Sequence, residues 1–148
     1  MFYILRMAEL VSTATAAWQG GLADGSGTVS LASGAAGPLP VSWASRTEAA
    51  NGKTSPEELI GAAHAACFSM ALSHEIAEAG GTPGSSQVTA KVTFAAGEDG
   101  VGISGIALTV SGSADGLDAD GFRKAAENAK EGCPVSRALS VPITLTVD

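Results

Sequence analysis

The pattern of apolar and polar residues predicts two groups of short β-strands separated by one long helix. Near the N-terminus, the runs Thr13–Gln19, Thr28–Ala32 and Leu39–Ser45 are rich in β-forming residues and are interrupted by glycine and proline. This arrangement is typical of an antiparallel meander. Further along, Gln87–Ala95 and Ile103–Val110 alternate between apolar and polar residues, which predicts a hairpin.

The long helix is predicted to begin after Ser55 and to end near residue 79. Ser55, Pro56 and Glu58 supply an N-cap, a first-turn proline and a capping-box acid, and Gly80 provides a stop. Apolar residues recur at a spacing near 3.6; they are Leu59, Ile60, Ala63, Ala66, Cys67, Met70, Ala71, Ile76 and Ala77. Since the middle of this helix is rich in alanine and nearly free of charge, we expect neighbours packed closely on more than one side.

A second helix is predicted over Gly121–Glu131. Either Asp118 or Asp120 can cap its beginning, and Gly132 is expected as the residue that ends it. The remaining predicted elements are a helical turn starting at Cys133-Pro134 and a terminal strand, Val141–Val147.

The composition indicates one folded domain. The chain has 148 residues, of which 45% are hydrophobic and 16% charged, which is far from the composition of disordered proteins. We therefore predict a single domain over residues 13–148, preceded by an N-terminal extension over residues 1–12. Met7 is a second candidate for the first residue of the protein.

The charge balance and the apolar runs exclude several classes of partner. Eight Lys and Arg against fifteen Asp and Glu give a net charge of −7, which disfavours nucleic-acid binding. No apolar run approaches the ~20 residues that cross a bilayer. The apolar opening meets Arg6 too soon for a signal peptide, so we expect a cytoplasmic protein that does not bind membranes.

Cys67 and Cys133 are the only cysteines and the strongest candidates for chemistry. In a reducing compartment such a pair is rarely a structural disulfide, which leaves metal binding, catalysis or inert packing. Cys67 lies in the middle of the predicted helix, on its apolar face. It is either an inert thiol or a thiolate that a cation such as Arg46 stabilises. Cys133 precedes a proline at a helix start, where unsatisfied amides lower a thiol pKa, although an ordinary turn residue also fits.

Other candidate residues have strong structural explanations. His64 lies three residues before Cys67 on the same helical face. It could act as a base, act as a metal ligand, or be a histidine that is simply packed in the protein. Glu57 and Glu58 complement the helix dipole in the first turn. Two Cys and two His lack the paired spacing of a zinc site, so we expect no metal. The chain has no phosphate-binding loop, no Gly-x-Gly-x-x-Gly fingerprint between a strand and a helix, and no serine-nucleophile motif.

Two segments carry a specific resemblance to a known family. Ser55–Ser73, with His64-Ala-Ala-Cys67 at its centre, and Ala129–Ser136, with Gly-Cys-Pro, resemble the OsmC/Ohr family of peroxidases. The resemblance extends from about residue 14 to the C-terminus. His64 beside Ala-Ala-Cys is similar to the OsmC branch, named for osmotically inducible protein C.

The position of the arginine agrees with that branch. No Lys or Arg occurs between Met7 and Ser45, whereas the Ohr branch takes its active-site Arg from an earlier loop. Arg46 matches the position used by OsmC-type proteins.

This resemblance implies a fold and an assembly. The expected fold is α+β, with two curved antiparallel sheets wrapped around two long central helices. The expected assembly is an intertwined homodimer with both active sites at the subunit interface.

The resemblance also implies an activity, the reduction of organic hydroperoxides in stress defence. Cys67 would be the peroxidatic thiol and Cys133 the resolving one. Arg46 would lower the pKa of Cys67 and stabilise the leaving alkoxide, and Glu57 would orient the guanidinium. No cofactor is implied, and an external dithiol, of lipoyl type in this family, would restore both thiols.

Two further expectations concern the surroundings of Cys67. Ten helical residues separate it from Glu57, about 15 Å along the axis, so we expect Glu57, either alone or together with Arg46, to serve the partner subunit's thiol. Phe68, Met70 and Phe94 are candidate walls of an apolar substrate pocket. The alternatives are a non-catalytic redox-sensing or ligand-binding dimer, and a structural domain with two inert thiols.

Overall fold

The computed structural model describes residues 9–148, so most of the predicted N-terminal extension lies outside the described residues. Residues 9–13 form neither helix nor strand. The chain divides into two compact units, residues 9–55 and residues 56–148, which are described separately below.

The N-terminal unit is a three-stranded sheet followed by a short helix. Strands β1 (Ala14–Gln19), β2 (Ser26–Leu31) and β3 (Leu39–Val41) form the predicted antiparallel meander in the order β1-β2-β3. The third strand is shorter than predicted, because the chain turns at Ser42 into helix α1 (Trp43–Thr47).

A capping box explains that early end. The Ser42 hydroxyl accepts a hydrogen bond from the backbone N–H of Ser45, and the Ser45 hydroxyl accepts one from that of Ser42, both at 3.0 Å. The Ser45 hydroxyl also donates to the carbonyl of Thr54 at 2.8 Å, which ties the following loop to α1. The prediction of a strand as far as Ser45 considered only the β-forming residues, and so it missed that Ser42 and Ser45 cap a helix instead.

The C-terminal unit packs three helices against a second three-stranded sheet. Its sheet has the strand order β4-β5-β6. The elements are α2 (Pro56–Glu78), β4 (Thr82–Gly97), β5 (Gly100–Asp115), α3 (Ala119–Gly132), α4 (Pro134–Ala138) and β6 (Ile143–Val147).

This sheet is mixed, which corrects the expectation that both sheets are antiparallel. β4 and β5 pair antiparallel, but β6 pairs parallel with β5, with Ile106 opposite Ile143 and Val110 opposite Val147. A parallel pair needs a crossover connection, and here α3 and α4 provide it. Cys133 lies within this crossover.

The helix ends follow the predicted signals with one correction. α2 ends at a Schellman motif, in which the N–H of Gly81 donates to the Ile76 carbonyl at 3.0 Å and Gly80 adopts a φ of 87°. Asp118 rather than Asp120 caps α3, since its side chain accepts from the N–H of Gly121 at 2.7 Å. Gly132 remains inside α3 instead of ending it.

The core lies between one face of α2, the helix α3 and the sheet. Gly61 brings α2 close to β4, because a Cβ at this position would lie only 3.3 Å from the carbonyl oxygen of Ala90. The buried hydrophobic residues all belong to the C-terminal unit: Phe68, Leu72, Ile76, Ile106, Leu108, Val110, Phe122, Ala125, Ala126, Ala129 and Cys133.

The described chain covers only one face of α2, where covering on more than one side was expected. The buried face contains Gly61, His64, Phe68, Leu72 and Ile76, together with Glu57. We call the opposite, exposed face the alanine face; it consists of Ala62, Ala63, Ala66 and Met70. No helix within residues 9–148 is long and apolar enough to cross a membrane.

Candidate active site

Cys67 lies at the edge of the alanine face in the middle of α2. Its side chain is half-buried. Ala63 and Met70 lie one turn before and one turn after it, and both are exposed. The thiol therefore sits on the boundary between the core and the open surface of the helix.

Cys133 occupies the junction between α3 and α4 and is fully buried, with no exposed surface. Its backbone N–H donates to the carbonyl of Ala129 at 2.8 Å, which closes α3. The next residue, Pro134, begins α4, as proline does at first helical positions. Two short-range constraints thus fix the backbone of this cysteine.

The two thiols lie close together. Both cysteines are free, and hydrogen bonding between their side chains contributes to the pKa shift of each. Because α2 supplies one sulfur and the α3–α4 junction supplies the other, packing of the crossover against α2 brings together residues 66 positions apart in sequence.

The environments of the two thiols push their pKa values apart. Burial raises the pKa of Cys67, and hydrogen bonding to Cys133 raises it further, while the Val135 backbone acts in the opposite direction. Burial also acts to raise the pKa of Cys133. The backbone of Ser136, the Cys67 thiol, the Ser136 side chain and the Val135 backbone outweigh it, so the pKa of Cys133 lies below its ordinary value.

His64 and Ser136 form a buried pair beside this junction. The Nε2 atom of His64 lies 2.6 Å from the Ser136 hydroxyl, and His64 has no exposed surface. Its Nδ1 atom is buried without a hydrogen-bond partner among the described residues. Burial lowers the pKa of His64, which favours the neutral imidazole.

Arg46 and Glu57 occupy other parts of the described chain. Arg46 lies in the last turn of α1, with its guanidinium carbon 5.8 Å from the centroid of the Trp43 ring. Glu57 is a buried carboxylate in the first turn of α2. The pairing of Arg46 with a thiol, and the orienting role of Glu57, stay predictions.

Comparison with known proteins decides the family. A family model described as OsmC-like protein matches residues 49–148. Peroxiredoxin OsmC of Escherichia coli is 48% identical to this chain over 128 residues, covering 86% of this chain and 89% of that protein. The protein of the same name from Shigella flexneri shows the same identity and coverage. The chain belongs to the OsmC-like family.

Solved structures agree with this membership. An organic hydroperoxide resistance protein OsmC from Legionella pneumophila is 28% identical, with a TM-score of 0.76, covering 96% of this chain and 99% of that one. The organic hydroperoxide resistance protein OhrB of Bacillus subtilis is also 28% identical, with a TM-score of 0.72 and coverages of 92% and 98%. The mixed α+β fold with two sheets is the fold of these proteins.

The three residues predicted to line a substrate pocket in this OsmC-like chain differ in how far they are buried. Phe68 is wholly buried in the core, so the suggestion that it lines a substrate pocket is wrong. Met70 is 72% exposed on the alanine face, and Phe94 is half-buried on β4. A surface cavity of about 430 Å³ lies between α3 and β6, away from both sulfurs.

Ser136 is the residue that the sequence reasoning missed. It belongs to the family-like segment and follows Cys133 by three residues, which places both on one helical turn. The spacing of Cys133 and Ser136 could have indicated that the two side chains are neighbours. The hydrogen-bond partner of Ser136, His64, is 72 residues away in sequence and gave no such indication. Within residues 9–148, no cluster of three or more His, Cys, Asp or Glu could hold a metal ion.

The hydrogen bond between the thiols predicts different titrations for two substitutions of Cys67. In Cys67→Ser the serine hydroxyl can still donate to Cys133, whereas Cys67→Ala removes the donor. We therefore expect Cys133 to titrate below the ordinary thiol pKa of about 8.5 in Cys67→Ser, and at a higher pH in Cys67→Ala. The ultraviolet absorbance of the thiolate measures both midpoints. Equal midpoints at or above the ordinary value would contradict this assignment.

Proposed function

We propose that this protein is a thiol-dependent peroxidase that reduces organic hydroperoxides to alcohols in defence against oxidative and osmotic stress. The observation that carries the proposal is the packing of α2 against α3 and α4, which brings the thiols of Cys67 and Cys133 close enough for each to shift the pKa of the other. The names of the relatives, peroxiredoxin and organic hydroperoxide resistance protein, support the same function.

The difference in solvent access supports different roles for the two cysteines. Cys67 is half-buried beside an open helix face, whereas Cys133 has no exposed surface. A peroxide must touch the sulfur that it oxidises, so the lower pKa of Cys133 does not make it the attacking thiol. Cys67 is therefore the peroxidatic residue and Cys133 the resolving residue.

The reaction proceeds in two displacements. The Cys67 thiolate attacks the terminal peroxide oxygen, the O–O bond breaks, and the alkoxide leaves and takes up a proton to become the alcohol. Cys67 is now a sulfenic acid. The Cys133 thiolate then attacks the Cys67 sulfur, forming a disulfide and releasing hydroxide, which becomes water on protonation.

Arg46 supplies the charge that the first displacement needs. Within the C-terminal unit, burial and Cys133 raise the pKa of Cys67, so this unit alone leaves the thiol protonated at neutral pH. A guanidinium near the sulfur would hold the thiolate and stabilise the departing alkoxide. Glu57 would orient that guanidinium through a charge-assisted hydrogen bond.

An external dithiol completes the cycle, and no cofactor is required. The dithiol, of lipoyl type or similar, reduces the disulfide and becomes a disulfide itself, so that both cysteines return to thiols. The cytoplasm, where thiols are kept reduced, is the compartment that suits such a cycle.

The working form is a homodimer in which a second copy covers the alanine face. Within residues 9–55 no hydrophobic residue is buried, and Trp18 on β1 is 44% exposed. A three-stranded sheet without its own buried core needs a partner surface. Met70 and the neighbouring alanines offer such a surface beside Cys67, so a second copy there would also enclose the thiol in an apolar pocket.

The two-cysteine mechanism predicts the outcome of a stoichiometric oxidation. With one equivalent of cumene hydroperoxide, the reduced protein should form the Cys67–Cys133 disulfide rapidly, and Cys133→Ser should retain a sulfenic acid at Cys67. Hydrogen peroxide should react about tenfold more slowly, because it cannot bury an apolar group against the site. Intact mass and non-reducing peptide mapping give both the rate and the linkage.

Two outcomes would redirect this interpretation. Thiols that stay reduced with either peroxide would exclude the peroxidase function and favour a structural domain with inert thiols. A disulfide that forms without turnover by dithiols would favour a redox-sensing dimer.

Removal of Arg46 should raise the pKa of Cys67 and slow its oxidation. In a Cys133→Ser background, Arg46→Ala should move the Cys67 titration upward by about one pH unit or more, since the charge of a close guanidinium is lost. The rate of peroxide consumption at neutral pH should fall at least about tenfold. Arg123→Ala, an exposed arginine on α3, is the matched control. An unchanged Cys67 midpoint would exclude Arg46 as the activating cation.

Mixed dimers test whether Glu57 acts across the interface. Cys67→Ser and Glu57→Ala homodimers should each be nearly inactive. If Glu57 serves the partner's thiol, random mixing restores one working site in half of the dimers, which is about one quarter of the wild-type activity. Activity of refolded mixtures against mixing ratio measures this recovery. Mixtures that stay inactive would place Glu57 in the same subunit as its thiol.

A further inference from the structure

The strongest feature left unused by the proposed mechanism is the buried pair of His64 and Ser136. Neither residue takes part in the steps above, although the pair lies on the two elements that supply the two sulfurs. α2 carries His64 and Cys67, and α4 carries Ser136, three residues after Cys133. The 2.6 Å contact therefore links the peroxidatic helix to the resolving turn.

The available hydrogens of this pair restrict its arrangement. A neutral imidazole has one N–H. If that hydrogen were on Nδ1, it would be a buried donor without an acceptor among the described residues, and the Ser136 hydroxyl would have to donate to Nε2. With the hydrogen on Nε2, the N–H is satisfied and only a lone pair on Nδ1 lacks a partner. Orphaned buried donors are rarer than under-satisfied acceptors, so the second tautomer is favoured.

The second tautomer also leaves the serine hydrogen available. Ser136 then accepts from His64 and has its own O–H free to turn toward a further acceptor. Cys133 is three residues earlier on the same turn, and the Ser136 side chain favours its thiolate form. The backbone of Ser136 also favours the thiolate of Cys133, and a thiolate sulfur has further lone pairs that can accept from the Ser136 hydroxyl.

We propose that His64 and Ser136 are positioning residues for the resolving cysteine: His64 donates from Nε2 to Ser136, and Ser136 then donates its O–H to the Cys133 sulfur whenever that sulfur carries negative charge. This inference rests on the proposed function and adds a role for two residues outside Cys67, Cys133, Arg46 and Glu57.

The arrangement helps two steps of the cycle. In resolution, the Cys133 thiolate is the nucleophile that attacks the sulfenic sulfur of Cys67. In recycling, a thiolate of the external dithiol attacks the Cys67 sulfur, which is the accessible one. The S–S bond breaks, and its electron pair goes to Cys133. The second thiol of the reductant then displaces Cys67 and closes the oxidised dithiol.

Donation by Ser136 is strongest when Cys133 is an anion, so it favours departure of this sulfur over the disulfide ground state. Burial of Cys133 sets the direction of attack: the reductant forms its mixed disulfide with the accessible Cys67, and Cys133 is the leaving group. The pair therefore assists the departure of the sulfur that burial selects as the leaving group.

The test measures the Cys133 thiol itself, independently of peroxide. In the Cys67→Ser protein we compare Ser136→Ala, Ser136→Thr, His64→Leu and His64→Gln. Ser136→Ala and His64→Leu should raise the Cys133 midpoint by about one pH unit, which leaves about tenfold less thiolate at neutral pH. Ser136→Thr keeps the hydroxyl and His64→Gln keeps an N–H donor, so both should stay close to the parent. His74→Leu, an exposed histidine of α2, is the control.

A second measurement follows recycling. The disulfide is formed in the otherwise wild-type chain with diamide, so that its formation does not depend on peroxidase activity. Reduction by dithiothreitol should be about threefold slower in Ser136→Ala and His64→Leu than in the control, since the leaving thiol has the higher pKa.

The outcomes separate this inference from the proposed function. Variants that lose unfolding free energy in urea but keep the Cys133 midpoint would show a merely structural pair and overturn the inference. The same holds if His64→Gln behaves like His64→Leu, because donation by Nε2 would then be irrelevant. A shifted midpoint in a protein that turns over no peroxide would retain the positioning role and reject the peroxidase.

Discussion

The packing of α2 on the C-terminal sheet is the contact on which the remaining structure depends. Gly61 allows the helix backbone to approach β4 so closely that a methyl group would already be crowded. One face of α2 is thereby committed to the core, and Phe68, Leu72 and Ile76 anchor it there. Each of the two cysteine environments follows from this commitment, because Cys67 falls at the edge of the buried face while the crossover packs Cys133 beneath it.

This placement gives solvent access to one thiol and a lowered pKa to the other, although the two properties are often found on one residue. The accessible thiol has the raised pKa, and the thiol with the lowered pKa is sealed. In the mechanism proposed above, the nucleophile for resolution is ready in the reduced fold, while activation of the accessible thiol needs a charge from beyond the C-terminal unit. That mechanism therefore depends on assembly as well as on the fold of one unit.

Local signals in the sequence predicted more of the fold than of the site. The start of α2 at Pro56, its glycine stop and the β4–β5 hairpin could be predicted because each depends on neighbouring residues. The extension of that hairpin through residues 82–86 and 111–115 could not, since these glycine- and serine-rich stretches lack alternation and owe their strand form to pairing. The parallel β6 depends on a long-range crossover that no local pattern specifies.

The same distinction holds at the site. Short motifs, including the family resemblance, were enough to recognise the two cysteines and the helix start that follows Cys133. The buried contact of His64 with Ser136 needed the fold, because it joins α2 to α4. Apolar periodicity located α2 correctly, yet it could not say which of two apolar faces the chain would cover, since alanine and glycine suit close packing on either side.

The parallel pairing of β6 has a consequence for the protein while it is being made. Chains fold from the N-terminal side as they are synthesised. Cys67 is synthesised within α2, before α3 and Cys133, and the crossover that carries Cys133 is joined to the sheet at its C-terminal end only when β6 pairs with β5. In the mechanism proposed above, a nascent chain therefore carries Cys67 without its resolving partner, and protection from oxidation beyond the sulfenic acid begins only after Cys133 has been made and packed against α2.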